Sequence, residues 1–169
     1  MSRLTAIPFL LFLFITSSFF CLPSLSHAQK MEIIESEEFD IQFEIPTNWE
    51  LEIEEDSVAA FGNGIVFVIT AVKDDSITTK ELFEIQVETL EMESEGEVEE
   101  VELKGGIHGM LGGGAGVIDG DVVGLVLLAA TLDENNYLAY IFAEPKKFER
   151  QKDLIFNVIT SLAPLGFEE

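Results

Sequence analysis

His108 is the side chain of this sequence best suited to acid–base or metal chemistry. It lies between Gly106 and Gly109, where the backbone leaves room for a ligand. A hydrolase or lyase built on His108 would need a serine or carboxylate partner, and a zinc site would need further ligands. The sequence groups no such residues around it, so a packed or solvated histidine is favoured. No catalytic residue is predicted, and we do not expect an enzyme.

A glycine-rich stretch later in the chain offers a second kind of site. The run Gly112-Gly113-Gly114-Ala115-Gly116 could cradle a phosphate, but no Gly-Lys-Ser/Thr follows and no helix is predicted to begin there. Glycines within strands more often mark a bend or a close backbone approach. If the stretch does contact a ligand or partner, we expect the lining residues to be Leu111, Gly112, Gly113, Gly114 and Gly116.

Acidic residues alternate in a third region, where glutamate occupies positions 91, 93, 95, 97 and 99. In an extended chain these carboxylates share one face and could concentrate a divalent cation such as calcium, with Glu95, Glu97 and Glu99 as the metal ligands. The sequence contains no Asp-x-Asp-x-Asp-Gly calcium loop. A solvated, mutually repelling edge that resists strand association is therefore favoured over a weak calcium site. No cofactor is predicted.

The overall charge limits the class of partner. The chain of 169 residues has 32 acidic and 9 basic residues, a formal net charge of -23. Nucleic acids and anionic lipid headgroups would be repelled, because no basic stripe is available to meet their phosphates. A basic envelope or secreted protein is the predicted partner, attracted by the negative field.

Residues 1–28 predict a signal peptide. They combine Arg3, an apolar run over residues 7–20 and the exit Ser26-His27-Ala28. An uncleaved membrane anchor is the alternative, and Pro8 and the cleavage pattern weigh against it. Cleavage near Ala28 would leave an extracytoplasmic protein, periplasmic or secreted, with no segment that inserts into a membrane.

The remaining chain predicts one domain of strands and two helices. Residues 29–38 are expected to form a loose acidic leader and residues 39–165 a single globular domain. A capping box at Thr78-Thr79-Lys80-Glu81 opens the first helix, and Pro145 opens the closing one. Alternating apolar residues place Trp49, Leu51 and Ile53 on a buried face. The predicted strands are residues 39–45, 49–53, 58–61, 65–72, 97–103, 107–118, 122–132 and 137–143.

Two short motifs and the order of elements carry a family resemblance. The corner Ile45-Pro46-x-x-Trp49 lies between two strands, and the last helix ends Ile159-Thr160-Ser161-Leu162. With the central helix and the meander, this order resembles the superfamily of the PsbP subunit of photosystem II, Mog-type Ran-binding proteins and periplasmic DcrB-like proteins. The resemblance covers residues 39–162.

This resemblance implies an α+β fold in which an antiparallel sheet lies between helices, the PsbP-like α-β-α sandwich. Most members of the superfamily are binding or assembly subunits, which implies a non-enzymatic binding module here. The basic docking features of the plant subunit are missing from this acidic chain. None of that family's functional residues can therefore be transferred to a position of this sequence.

Overall fold

The computed structural model describes residues 29–73, 76–133 and 135–168. The predicted signal peptide, residues 1–28, lies outside these described residues. Within them, each helix is too short or too polar to cross a bilayer.

Antiparallel β-structure dominates the described chain. Its helices are α1 (Thr79–Thr89), α2 (Pro145–Arg150) and α3 (Lys152–Thr160), and Lys104–Gly106 forms a 3-10 turn. Its strands are β1 (Met31–Ser36), β2 (Ile41–Pro46), β3 (Glu50–Ile53), β4 (Ser57–Gly62), β5 (Ile65–Val72), β6 (Glu93–Ser94), β7 (Glu99–Glu102), β8 (His108–Ile118), β9 (Asp121–Leu132), β10 (Asn135–Ala143) and β11 (Ala163–Pro164).

The strands form two sheets. The larger has eight strands in the order β3-β4-β5-β10-β9-β8-β6, with β7 also paired to β8, and the smaller has the order β1-β2-β11. Every pairing is antiparallel, which confirms the predicted type of sheet. At one end of the larger sheet lies β3, and at the other lie β6 and β7.

Strand β9 shows how helices come to contact both faces of the larger sheet. Its apolar run has no polar side chain, so one set of alternating residues packs with α1 and the other with α2 and α3. The description as an α-β-α sandwich is nevertheless loose. A single helix of 11 residues covers the first face, and the small sheet shares the second with α2 and α3.

Two local motifs form as predicted. The Thr78 hydroxyl accepts a hydrogen bond from the Glu81 amide, and the Glu81 carboxylate accepts one from the Thr78 amide, which completes the capping box. Asp119 and Gly120 form the two-residue turn between β8 and β9, both with positive φ, at 53° and 85°.

Three predictions differ from the structure. Residues 31–36 are not a loose leader but strand β1, because their backbone pairs with β2 and Met31 and Ile34 pack against the core. Trp49 is buried as predicted, whereas Leu51 and Ile53 are exposed because β3 is an edge strand. The closing helix is divided at Gln151 into α2 and α3.

Candidate functional site

Four of the five residues predicted for ligand contact, all but Gly116, line one cavity of about 220 Å³ together with the three glutamates predicted for metal binding. We call this cavity the glycine groove. The loop after β6, strands β7 and β8, and helices α2 and α3 all contribute to it. Its lining residues are Glu95, Gly96, Glu97, Glu99, Leu111, Gly112, Gly113, Gly114, Phe148, Lys152 and Phe156.

Gly113 lines the groove at a position that has room for a side chain. A Cβ added at Gly113 would lie 3.5 Å from the Leu125 carbonyl oxygen and 3.7 Å from Val126 Cγ2, which is ordinary van der Waals contact. Gly113 is half-buried, and a side chain would fit there, so neither the space nor the backbone conformation requires glycine at this position.

The neighbouring glycines have a structural role. A Cβ at Gly112 would lie 2.8 Å from Phe83 Cζ of α1, and a Cβ at Gly114 would overlap the Glu93 carbonyl of β6. Gly116 lies outside the groove, where a Cβ would lie 3.2 Å from the Leu90 carbonyl oxygen. These glycines allow close approach of other elements, which is the alternative that the sequence favoured.

The acidic rim forms where the chain leaves the sheet between β6 and β7. β6 pairs with β8 at Gly114 and Ala115, and β7 resumes pairing at Leu111. Between these points the Glu95 amide donates to the Gly113 carbonyl oxygen at 2.8 Å. The intervening segment curves away, so Glu95, Glu97 and Glu99 border the groove.

The opposite wall was not predicted from the sequence. Phe148 is buried on β9 over Gly124, where a Cβ would overlap the Phe148 ring. Phe156 and Lys152 of α3 complete this wall. The sequence signal that could have indicated it is Gly124, a glycine at the start of the apolar run of β9.

The groove thus combines an apolar interior with three carboxylates and one ammonium group. This composition suits an elongated cation, whose methylene groups would lie against apolar side chains while its charge meets carboxylates. As a metal site it is less complete. Across residues 29–73, 76–133 and 135–168, no group of three or more His, Asp or Glu side chains could hold a metal ion. The assignment of Glu95, Glu97 and Glu99 as metal ligands stays a prediction.

His108 lies outside the groove, exposed at the start of β8. Its cross-strand neighbours are Glu102 on β7 and Thr131 on β9. Among the described residues, the His108 side chain has no hydrogen bond or ion pair. The hydrolase alternative therefore has no serine or carboxylate partner in hydrogen-bond contact with His108.

Comparison with known proteins identifies the fold. Cyanobacterial PsbP (CyanoP) from Synechocystis sp. PCC 6803 superposes with a TM-score of 0.60 at 9% identity, over 80% of this chain and 93% of that one. A protein from Bacteroides thetaiotaomicron gives 0.53 at 14% identity, over 82% of this chain and 50% of that one. LpqN of Mycobacterium tuberculosis, involved in cell envelope biogenesis, gives 0.48 at 14% identity, over 83% and 87%.

The first two similarities confirm the predicted PsbP-like fold, and at such low identities they show the fold alone. A scan against protein-family models finds no match, and a search among curated proteins finds none either. Any function must therefore be argued from the residues of this chain.

Proposed function

We propose that this chain is a non-enzymatic, extracytoplasmic binding module that holds a basic segment of a partner protein in the glycine groove. One observation carries the proposal. Glu95, Glu97 and Glu99 line the same cavity as apolar side chains and the half-buried backbone of Gly113. The sequence predicted these two features separately, and the fold places them in the same cavity.

The extracytoplasmic location is supported by the sequence of residues 1–28, with cleavage expected near Ala28. The high acidic content agrees with a partner of opposite charge, a basic envelope or secreted protein. The groove lies at one end of the eight-stranded antiparallel sheet, in a fold similar to that of cyanobacterial PsbP.

An arginine or lysine of the partner fits the groove in a defined way. Its methylene groups would lie against Leu111, Phe148 and Phe156, and its charged head would meet the glutamates at the rim. Lys152, on the opposite wall, would repel the same head and direct it toward the glutamates. Affinity would come mainly from the apolar contacts.

Charge should act mainly on the association rate. Exposed charges are screened over about 8 Å at physiological ionic strength, so the acidic field steers a basic partner without holding it strongly. We therefore expect association to slow steeply with added salt, while dissociation changes little.

The test compares two triple variants of equal charge. Glu95, Glu97 and Glu99 are replaced by Gln in one, and the exposed residues Glu35, Glu37 and Glu38 in the other. Association of a tetra-arginine peptide is measured by stopped flow at low and high salt. We expect about a tenfold lower rate for the groove variant at low salt and a much smaller change for the control. Equal losses in both variants would show that net charge alone attracts the peptide.

A further inference from the structure

Strand β3 has its second edge exposed. It is the terminal strand of the eight-stranded sheet and pairs only with β4 in the described chain. All four of its residues are exposed, Leu51 by 39% and Ile53 by 63%. An edge strand of this kind presents main-chain donors and acceptors to any extended segment that approaches. The site lies at the opposite end of the sheet from the glycine groove.

The register of β3 identifies which backbone groups point outward. The Glu54 amide donates to the Ser57 carbonyl oxygen at 2.8 Å, so residue 54 belongs to a hydrogen-bonded pair with β4. Because such pairs alternate along an antiparallel ladder, Glu52 and Glu50 also direct their backbone groups toward β4. Leu51 and Ile53 therefore direct their amide and carbonyl groups away from the sheet.

The same register disfavours a second copy of this chain as the added strand. Outward-pointing residues must pair with outward-pointing residues, so Leu51 and Ile53 would oppose Leu51 and Ile53 of the other copy. Each glutamate of β3 would then lie directly opposite a glutamate of the other copy. Like charges that are directly opposite each other destabilise a sheet. The occupant must differ in charge from β3.

We propose that β3 accepts an extended segment of a partner protein as an added antiparallel strand. Its apolar residues would lie opposite Leu51 and Ile53, and lysine or arginine would lie opposite Glu50 and Glu52. A segment in which basic and apolar residues alternate would therefore have charge complementarity on one face of the strand and apolar contact on the other. Together with the groove, this edge would give the domain two contact surfaces at the two ends of one sheet.

Trp49 provides a local reporter for this edge. It is the single tryptophan of the chain, it directly precedes β3, and its ring lies over Gly62 of β4. A strand added to β3 would alter the surroundings of this ring, whereas a peptide in the groove would not. The probe is the synthetic peptide Lys-Val-Arg-Val-Lys-Val, and its counterpart Glu-Val-Glu-Val-Glu-Val tests the requirement for charge.

The decisive variants are Ile53→Pro and Ile53→Ala. Both remove the exposed apolar side chain, but only proline also removes the outward-pointing amide, which β4 does not use. We expect Ile53→Ala to bind the basic peptide severalfold more weakly than the unsubstituted chain. We expect Ile53→Pro to bind about tenfold more weakly still, because a main-chain hydrogen bond is lost.

Hydrogen exchange of the unsubstituted chain gives an independent measurement. The basic peptide should slow exchange of the Leu51 and Ile53 amides and leave that of Glu52 unchanged. Equal affinity of the two Ile53 variants, equal binding of the acidic peptide, or unchanged exchange at Leu51 and Ile53 would overturn the proposal. Because none of these measurements involves the groove, their failure would leave the groove proposal to its own test.

Discussion

The two ends of the eight-stranded sheet differ in how their backbone is covered. At the β8 end, Gly112 and Gly114 lack side chains where Phe83 and Glu93 come into close contact, whereas Gly113 has room for a side chain. At the β3 end, full side chains remain, and alternating glutamates keep the strand in solvent. The edge strands at both ends, β7 at one and β3 at the other, carry exposed glutamates that resist association with another copy. The two ends therefore differ mainly in the close contacts that glycines allow at the β8 end.

This difference indicates what each end can bind. The β8 end offers a small cavity with fixed walls, suited to a side chain. The β3 end offers a row of main-chain groups without walls, suited to an extended segment. Substitutions at single positions can test whether the two ends are as distinct as this.

The largest effect is expected at the β8 end, from Gly114→Ala. A methyl group there would overlap the Glu93 carbonyl, and neither backbone can move without breaking the pairing of β6 with β8. We expect a loss of about 3 kcal/mol in the free energy of unfolding, measured by urea denaturation. A loss under about 0.5 kcal/mol would show that β6 is not held against β8 as described.

A smaller loss is expected at the β3 end, from Gly62→Ala. The added methyl group would overlap the Trp49 ring, which is a side chain and can be displaced more readily than a backbone. We expect a loss of about 2 kcal/mol in the free energy of unfolding. Tryptophan fluorescence should shift to longer wavelength as the ring moves toward solvent, and an unchanged spectrum would contradict the placement of Trp49 over Gly62.

The contrast also shows which features the sequence could predict. Turn and cap chemistry is local, so the Asp119-Gly120 turn and the Thr78 capping box followed from neighbouring residues alone. The long apolar run of β9 likewise predicted a strand covered on both faces. Such features depend on residues close together in the chain.

Features that depend on distant residues were missed. Leu51 and Ile53 alternate like a buried strand, but nothing local shows that no element covers the end of the sheet. Strand β1 exists because β2 pairs with it. The sequence gives no reason to distinguish Gly112 from Gly113. In the structure, Phe83, which is distant in the chain, leaves no room for a side chain at Gly112, whereas a side chain would fit at Gly113.

Tyr137 lies on β10, in the interior of the eight-stranded sheet, and a substitution there can be compared with those at the two ends. Its hydroxyl donates to the Phe39 carbonyl oxygen at 2.7 Å, so Tyr137→Phe should lower the free energy of unfolding by about 1 kcal/mol. Burial, followed by the charge of Asp40, raises the pKa of Tyr137 above its ordinary value. The neutral phenol is thus favoured in the folded state.

The pH dependence of the free energy of unfolding follows from the raised pKa of Tyr137. Tyrosine in the unfolded chain ionises near pH 10, so the stabilisation is complete below this pH and is lost as pH rises through the raised pKa of the folded state. Urea denaturation should be measured from pH 8 to 11, roughly the range around the ordinary pKa of tyrosine. Over this range Tyr137→Phe should lose less free energy of unfolding than the unsubstituted chain. Tyr140→Phe should change the alkaline loss in the same direction, because burial also raises the pKa of Tyr140. An unchanged alkaline loss in both variants would contradict the role of the tyrosines.

The smallest change in stability is expected from Gly113→Ala, although Gly113 is adjacent to Gly114, where the largest loss is expected. Its methyl group would lie 3.5 Å from the nearest atom, and alanine lowers the entropy of the unfolded chain relative to glycine. We expect the free energy of unfolding to stay the same or rise by about 0.5 kcal/mol. Binding of the tetra-arginine peptide should nevertheless weaken, because the methyl group would cover backbone that lines the groove. If Gly113→Ala binds this peptide unchanged while binding at β3 is also unchanged, the backbone of Gly113 does not contribute to recognition.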